Sequence, residues 1–103
     1  MPCELCARTG VKLTRHHLIP LTRHANKRAR KQSTREQRHE VAWLCRPCHS
    51  QVHALLTEKQ IEREFNSVEL LAAHPDIARF VAWIREKPPG FRPTTRTSPT
   101  IRP

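Results

Sequence analysis

Cys45-Arg46-Pro47-Cys48-His49-Ser50-Gln51-Val52-His53 sets four metal-capable side chains within nine positions. Cys45 and Cys48 have the spacing of half a zinc knuckle, in which a tight turn aims two thiolates at one ion. His49 and His53 stand four apart, so a helix brings their Cβ atoms to about 5–6 Å on one face. The two pairs suit different sites. Thiolates favour a closed structural zinc, whereas an imidazole pair leaves positions open for water or phosphate. Each pair needs partners, and the N-terminal region offers them as Cys3-x-x-Cys6 and His16-His17.

Length and composition narrow the fold further. With 103 residues, 37% of them apolar and 5% aromatic, the chain is one domain whose core is small enough to need a staple. Four cysteines in two Cys-x-x-Cys pairs are read as a shared zinc site, with disulfides or a redox pair as the competing uses. Nineteen Lys and Arg against nine Asp and Glu leave a formal charge of +10. That excess favours a polyanionic partner, DNA or RNA, over the simpler use of charge for solubility. No apolar run approaches the roughly 20 residues that span a bilayer, and no apolar segment follows Met1. The expectation is a cytoplasmic protein in a reducing compartment, with no membrane partner.

Along the chain, residues 3–10 form the first knuckle, ending at a Thr9-Gly10 turn. Val11 to Ile19 alternates loosely and predicts a strand closed by Pro20, with His16 and His17 near its end. Residues 22–38 carry Arg23, Lys27, Arg28, Arg30, Lys31, Arg35 and Arg38 against the single acid Glu36. With almost no apolar residues, this stretch reads as a solvated loop with at most transient helix. Its functional reading is a phosphate-contacting loop; the plainer one is a long polar connection.

Val41-Ala42-Trp43-Leu44 predicts the returning strand, and Pro47 suits the first turn of the helix that carries His49 and His53. Val52, Leu55 and Leu56 form that helix's buried side. Thr57-Glu58-Lys59-Gln60 has the form of a capping box opening a helix, with Ile61, Phe65 and Val68 as its stripe and a break at Asn66-Ser67. His74-Pro75-Asp76 opens the last helix, where Ile77, Phe80, Val81 and Ile84 share a face. His74 is then a helix-start residue and His24 a loop residue. From Lys87 onward, five prolines with Arg92, Arg96 and Arg102 predict an extended, mostly disordered basic tail.

The 38 residues between Cys6 and Cys45 can still share one zinc if residues 11–44 form a hairpin with a long excursion. Four thiolates leave no open position, so that zinc serves folding. Neighbours on a strand point to opposite faces, so His16 and His17 cannot both hold one ion. One of them joins His49 and His53 around a divalent cation, and the other stands by as a general base near neutral pH. Phosphodiester hydrolysis needs those two parts: a base to activate water and a cation against the charge on phosphate and leaving oxygen.

These motifs carry a resemblance to a known family. Residues 3–53 resemble the HNH endonucleases, built on a β-hairpin and a helix around one metal (the ββα-metal fold). The residues concerned are Cys3-Glu4-Leu5-Cys6, His16-His17-Leu18-Ile19-Pro20 and Leu44-Cys45-x-x-Cys48-His49-x-x-x-His53, in that order and spacing. The resemblance implies that His16, His49 and His53 hold the catalytic ion (Mg²⁺, Mn²⁺, Ni²⁺ or Zn²⁺) and that His17 is the general base. It also implies a structural Zn²⁺ on Cys3, Cys6, Cys45 and Cys48. Its members cleave DNA, as nicks or double-strand breaks, leaving 5′-phosphate and 3′-hydroxyl ends. The family's middle residue, usually Asn, falls by spacing on Glu40 with His39 adjacent. His39 is the plausible substitute; Glu40 could instead hydrogen-bond the base.

The expected architecture is therefore α+β. Residues 1–56 form a ββα-metal core with a four-cysteine zinc site, 57–87 a helical extension packed on it, and 88–103 a flexible basic tail. The expected function is metal-dependent DNA cleavage. Two other classes compete: a non-catalytic zinc-stabilised nucleic-acid-binding module, and a thiol redox protein with exposed, titratable cysteine pairs.

Overall fold

A computed structural model describes residues 1–93 of the chain. The fold is α+β, with one two-stranded antiparallel sheet and six α-helices among the described residues. Strand β1 (Leu13–His17) pairs with β2 (Val41–Cys45) in a register that sets Leu13 against Cys45 and His17 against Val41. Ala42 and Leu44 point into the core while Val41 and Trp43 stay partly exposed, the alternation expected of a sheet covered on one face. The N-terminal knuckle extends that edge: Glu4 donates its amide to the Trp43 carbonyl at 2.9 Å, and its carboxylate accepts from the Trp43 amide.

Helix α3 (Arg46–Leu55) follows β2 without a linker, with Pro47 in its first turn. It buries Cys48, Gln51 and Val52, and packs against both strands. Leu56 closes the buried side, whereas Leu55 is only half-buried. Thr57 and Gln60 form the expected capping box of α4 (Glu58–Glu64), and Ser67 caps α5 (Val68–Ala73). His74 caps α6 (Pro75–Ile84), its ring accepting from the Asp76 amide. Ile77, Val81 and Ile84 of α6 are buried against α3 and α5, together with Leu71 and Ile61. Each such side chain contributes about 1.5–3 kcal/mol by leaving water. No helix is long and apolar enough to cross a membrane among the described residues.

Two expectations are corrected. Residues 22–38 are not a solvated loop: they hold a short 3₁₀ turn (Leu21–Arg23), α1 (Lys27–Gln32) and the start of α2 (Arg35–His39). Local caps supply what an apolar face does not. The Asn26 side chain accepts from the Ala29 amide, and Thr34 and Gln37 form a reciprocal capping box. Arg38 then ties the helices together, donating to the Ser33 carbonyl at 2.8 Å. The tail is corrected in its first part. Arg8 donates to the Lys87 and Pro88 carbonyls, Phe91 packs on the core, and the Phe91 amide bonds Pro88 O. The rest of the expected tail, residues 94–103 with Arg96 and Arg102, lies outside the described residues.

Because α2 rests on its cap, Thr34→Ala is expected to cost about 1 kcal/mol locally. Hydrogen exchange of the Arg38 amide, which bonds Thr34 O, should accelerate about fivefold; an unchanged rate would show that the cap does not hold the helix.

Candidate metal centre

Among the described residues, two clusters of ligand-type side chains come together: Cys3, Cys6, Cys45 and Cys48, and His16, His49 and His53. Within each, one ligand atom per residue lies within 4.8 Å of the others.

All four cysteines are buried and free. The knuckle turns on itself through a Cys3 amide bond to Arg8 O and an Ala7 amide bond to Cys3 O. Closing so tightly puts Ala7 at φ +62°, a left-handed conformation that costs a non-glycine residue about 1–2 kcal/mol. Gly10 takes φ +70° where the knuckle leaves for β1. The Cys6 and Cys45 amides aim at Cys3 Sγ, at 3.5 and 3.3 Å. Cys6 Sγ lies 3.7 Å from Cys45 Sγ. A tetrahedron with Zn–S bonds of about 2.3 Å has an edge of about 3.8 Å, so the cluster has the size of a zinc site. The four buried sulfurs can hold a metal ion such as zinc.

The thiols also perturb one another. Hydrogen bonds with Cys45 and then Cys48 hold Cys3 far below the usual thiol range. Bonds with Cys3 and then Cys45, with burial, push Cys48 well above it. Ionising all four thiols together therefore needs a compensating cation. Part of it is built in: Arg8, 8% exposed, lies with Nη2 3.5 Å from Cys45 Sγ. Burial alone would lower its pKa, but Cys6 and Cys45 raise it.

The imidazole cluster joins β1 to α3. His16 is 1% exposed, and its ring centroid lies 5.2 Å from both His49 and His53. Neither ring nitrogen of His16 has a hydrogen-bond partner among the described residues. Such orphaned buried polar atoms cost free energy unless something unseen engages them. His49 carries an orienting contact. Thr14 Oγ1 donates its one hydrogen to Leu44 O at 2.9 Å and lies 2.7 Å from His49 Nδ1. Nδ1 must therefore carry the proton and donate it to Thr14, which leaves Nε2 as a lone-pair donor. The sheet sets the tautomer. Burial, followed by the other imidazoles, lowers His16 to about 3. Burial, His53 and Arg46 lower His49 to about 4, and burial also lowers His53. All three are neutral near pH 7, as metal ligands must be.

His17, half-buried at the end of β1, points away from this cluster. Its ring sits 6.5 Å from His24, which sits 6.3 Å from His39. Burial first, then Arg15, His24 and His39, lowers its pKa. His24 Nε2 donates to Ile19 O at 2.8 Å, so this presumed loop residue is fixed in the row. Glu40 is exposed and meets the strand through its backbone, its carbonyl accepting from the Leu18 amide. Of the seven cations expected to meet phosphate, Lys27, Arg28, Arg30, Lys31 and Arg35 are exposed. Arg23 instead pairs with buried Glu62 at 3.3 Å, and Arg38 is spent on Ser33, so neither stands free.

Sequence reasoning missed Arg8, Thr14 and His24. Only Thr14 had a signal: two positions before His16, it shares that residue's face of a strand.

No family model matches the chain, and no solved structure matches it. A Bacillus subtilis (strain 168) protein described as "Uncharacterized protein YisB" is 40% identical over 87 residues, covering 84% of this chain and 76% of the relative. The chain belongs to the YisB family. The family's name carries no chemistry, so function rests on the two clusters.

Buried His16 has a signature in pH. Its folded pKa of about 3 lies below the unfolded value of 6.5, so between them the unfolded chain binds more protons. The stability His16 contributes is full above pH 6.5 and falls as pH drops toward 3. The melting temperature should fall from pH 6.5 to 4, more shallowly in His16→Leu. Equal slopes in circular-dichroism melts would contradict a buried neutral imidazole.

Proposed function

We propose that this protein is a metal-dependent endonuclease of the HNH type, hydrolysing DNA phosphodiester bonds. The observation that carries this reading is His16: buried, without a hydrogen-bond partner, and facing His49 and His53 at 5.2 Å. A lone-pair triad closed on one side and opening at exposed His53 fits a divalent cation with room for a further ligand. That cation (Mg²⁺, Mn²⁺, Ni²⁺ or Zn²⁺) would neutralise charge on the phosphate and the departing oxygen. The four cysteines would hold the structural zinc.

The chain's own groups do the rest. His17, neutral near pH 7 and accessible, takes a proton from water as the oxygen attacks phosphorus in line. The P–O3′ bond breaks and the departing O3′ takes a proton from solvent water, leaving a 5′-phosphate and a 3′-hydroxyl. Burial first, and then Arg15, His24 and His39, keep the His17 pKa low. Side-chain support from Glu40 has no contact behind it, so His39 is the better stand-in for the family's middle residue. The exposed cations of α1 and α2, Lys27, Arg28, Arg30, Lys31 and Arg35, meet the flanking backbone, which makes affinity salt-sensitive and weakly sequence-selective.

Plasmid relaxation or linearisation with each of the four ions tests the activity, and an intact plasmid with all of them would refute it. His17→Ala should keep DNA binding and lose about 10²–10⁴-fold in cleavage rate. The cysteine cluster and basic helices alone would serve a non-catalytic nucleic-acid-binding module. That reading predicts no plasmid cleavage by the wild type and no change in His17→Ala.

Thr14→Val should weaken divalent-ion binding at the imidazole cluster about 10–100-fold by freeing the His49 tautomer, with Thr14→Ser restoring it. Titration calorimetry on the zinc-loaded protein reads both, and equal affinities would remove Thr14 from the site.

A further inference from the structure

A groove of about 620 Å³ runs between the first turn of α3 and residues 89–93, bordering the cysteine cluster at Cys45. Among the described residues, three exposed cations line it, Lys12, Arg46 and Arg92, and no carboxylate does. Its apolar surface includes Pro47 and half-buried Phe91. Thr14, whose hydroxyl touches His49 Nδ1, also lines it, so the groove borders the imidazole cluster.

The far wall is anchored. Arg8 grips the Pro88 carbonyl at 2.9 Å, the Phe91 amide closes a turn onto that carbonyl at 3.0 Å, and Phe91 packs on the core. The same Arg8 lies against Cys45 Sγ, so the wall is tied to the cysteine cluster. A recess held open this way costs little to order on binding.

We propose that this groove binds single-stranded DNA next to the bond being cut, making the preferred substrate one with an unpaired segment. Cations beside an aromatic ring and no acid match a strand that presents phosphates and an unstacked base together. A duplex offers phosphates but keeps its bases stacked inside. Sites of about 300–1,000 Å³ enclose small-molecule-sized groups, which admits a nucleotide and excludes a double helix. Phosphates lie on Lys12, Arg46 and Arg92, and a base rests on Pro47 and Phe91. The role beside the cut, and the choice of DNA over RNA, rest on the nuclease reading; the binding of an unpaired strand does not.

The test is fluorescence anisotropy on the full-length, zinc-loaded protein with labelled oligo-dT, a blunt DNA duplex and oligo-U. Phe91→Leu, which keeps apolar bulk, should weaken oligo-dT binding about tenfold or more and leave the duplex unchanged, and Phe91→Tyr should restore it. Replacing Lys12, Arg46 and Arg92 together by Ala should flatten the log–log salt dependence for oligo-dT by about 2. Unchanged oligo-dT affinity in either set, equal weakening of the duplex, or tighter binding of oligo-U than of oligo-dT would overturn the proposal. Plasmid cleavage by the wild type reports separately: its absence with oligo-dT binding intact sinks the nuclease reading and leaves the groove standing.

Discussion

Four buried sulfurs set the geometry on which the other elements depend. Cys3 and Cys6 belong to the N-terminal knuckle, Cys45 ends β2, and Cys48 lies in the first turn of α3. Bringing them within 4.8 Å fixes where the sheet begins, where α3 leaves it, and at what angle. In a chain with so little apolar surface, such a cross-link does work that a larger domain leaves to its core. The like-charge penalty among thiolates makes the cluster demanding. Arg8 relieves part of it and passes the constraint to the C-terminal segment through Lys87 and Pro88.

The imidazole cluster is a by-product of that staple and of the β-ladder. α3 starts at a fixed point, so His49 and His53 face β1 one turn further on. The register sets His16 opposite Ala42, whose small side chain gives the ring depth. Burial costs these rings their protons. A buried polar group without a hydrogen-bond partner costs free energy unless something engages it, and these three rings lie close enough to hold a metal ion.

Much of this was legible in the sequence because the relevant signals were local. Two Cys-x-x-Cys pairs, His49 and His53 at helical spacing, the Thr57–Gln60 box and the His74-Pro75 start are each read within a few positions, and each lies where expected. Residues 22–38 depart from expectation because a stretch without apolar residues can still hold structure. Asn26, Thr34 and Gln37 carry the helices through caps, which composition does not register. Arg23 departs from it for another reason: its partner, Glu62, lies 39 positions away. Arg8 was hidden in the same way, since its carbonyl partners lie near residue 88. Pairings across the fold leave no trace in spacing.

The register that pairs Thr14 with Leu44 and His16 with Ala42 has a further consequence. Side chains on a strand alternate, so sliding β1 past β2 by one position would turn the buried imidazole outward and the half-exposed one inward. His16 and His17 are the same amino acid, and nothing in their own chemistry decides which faces inward. That choice belongs to the alignment of the two strands: adjacent identical residues acquire opposite surroundings by parity alone.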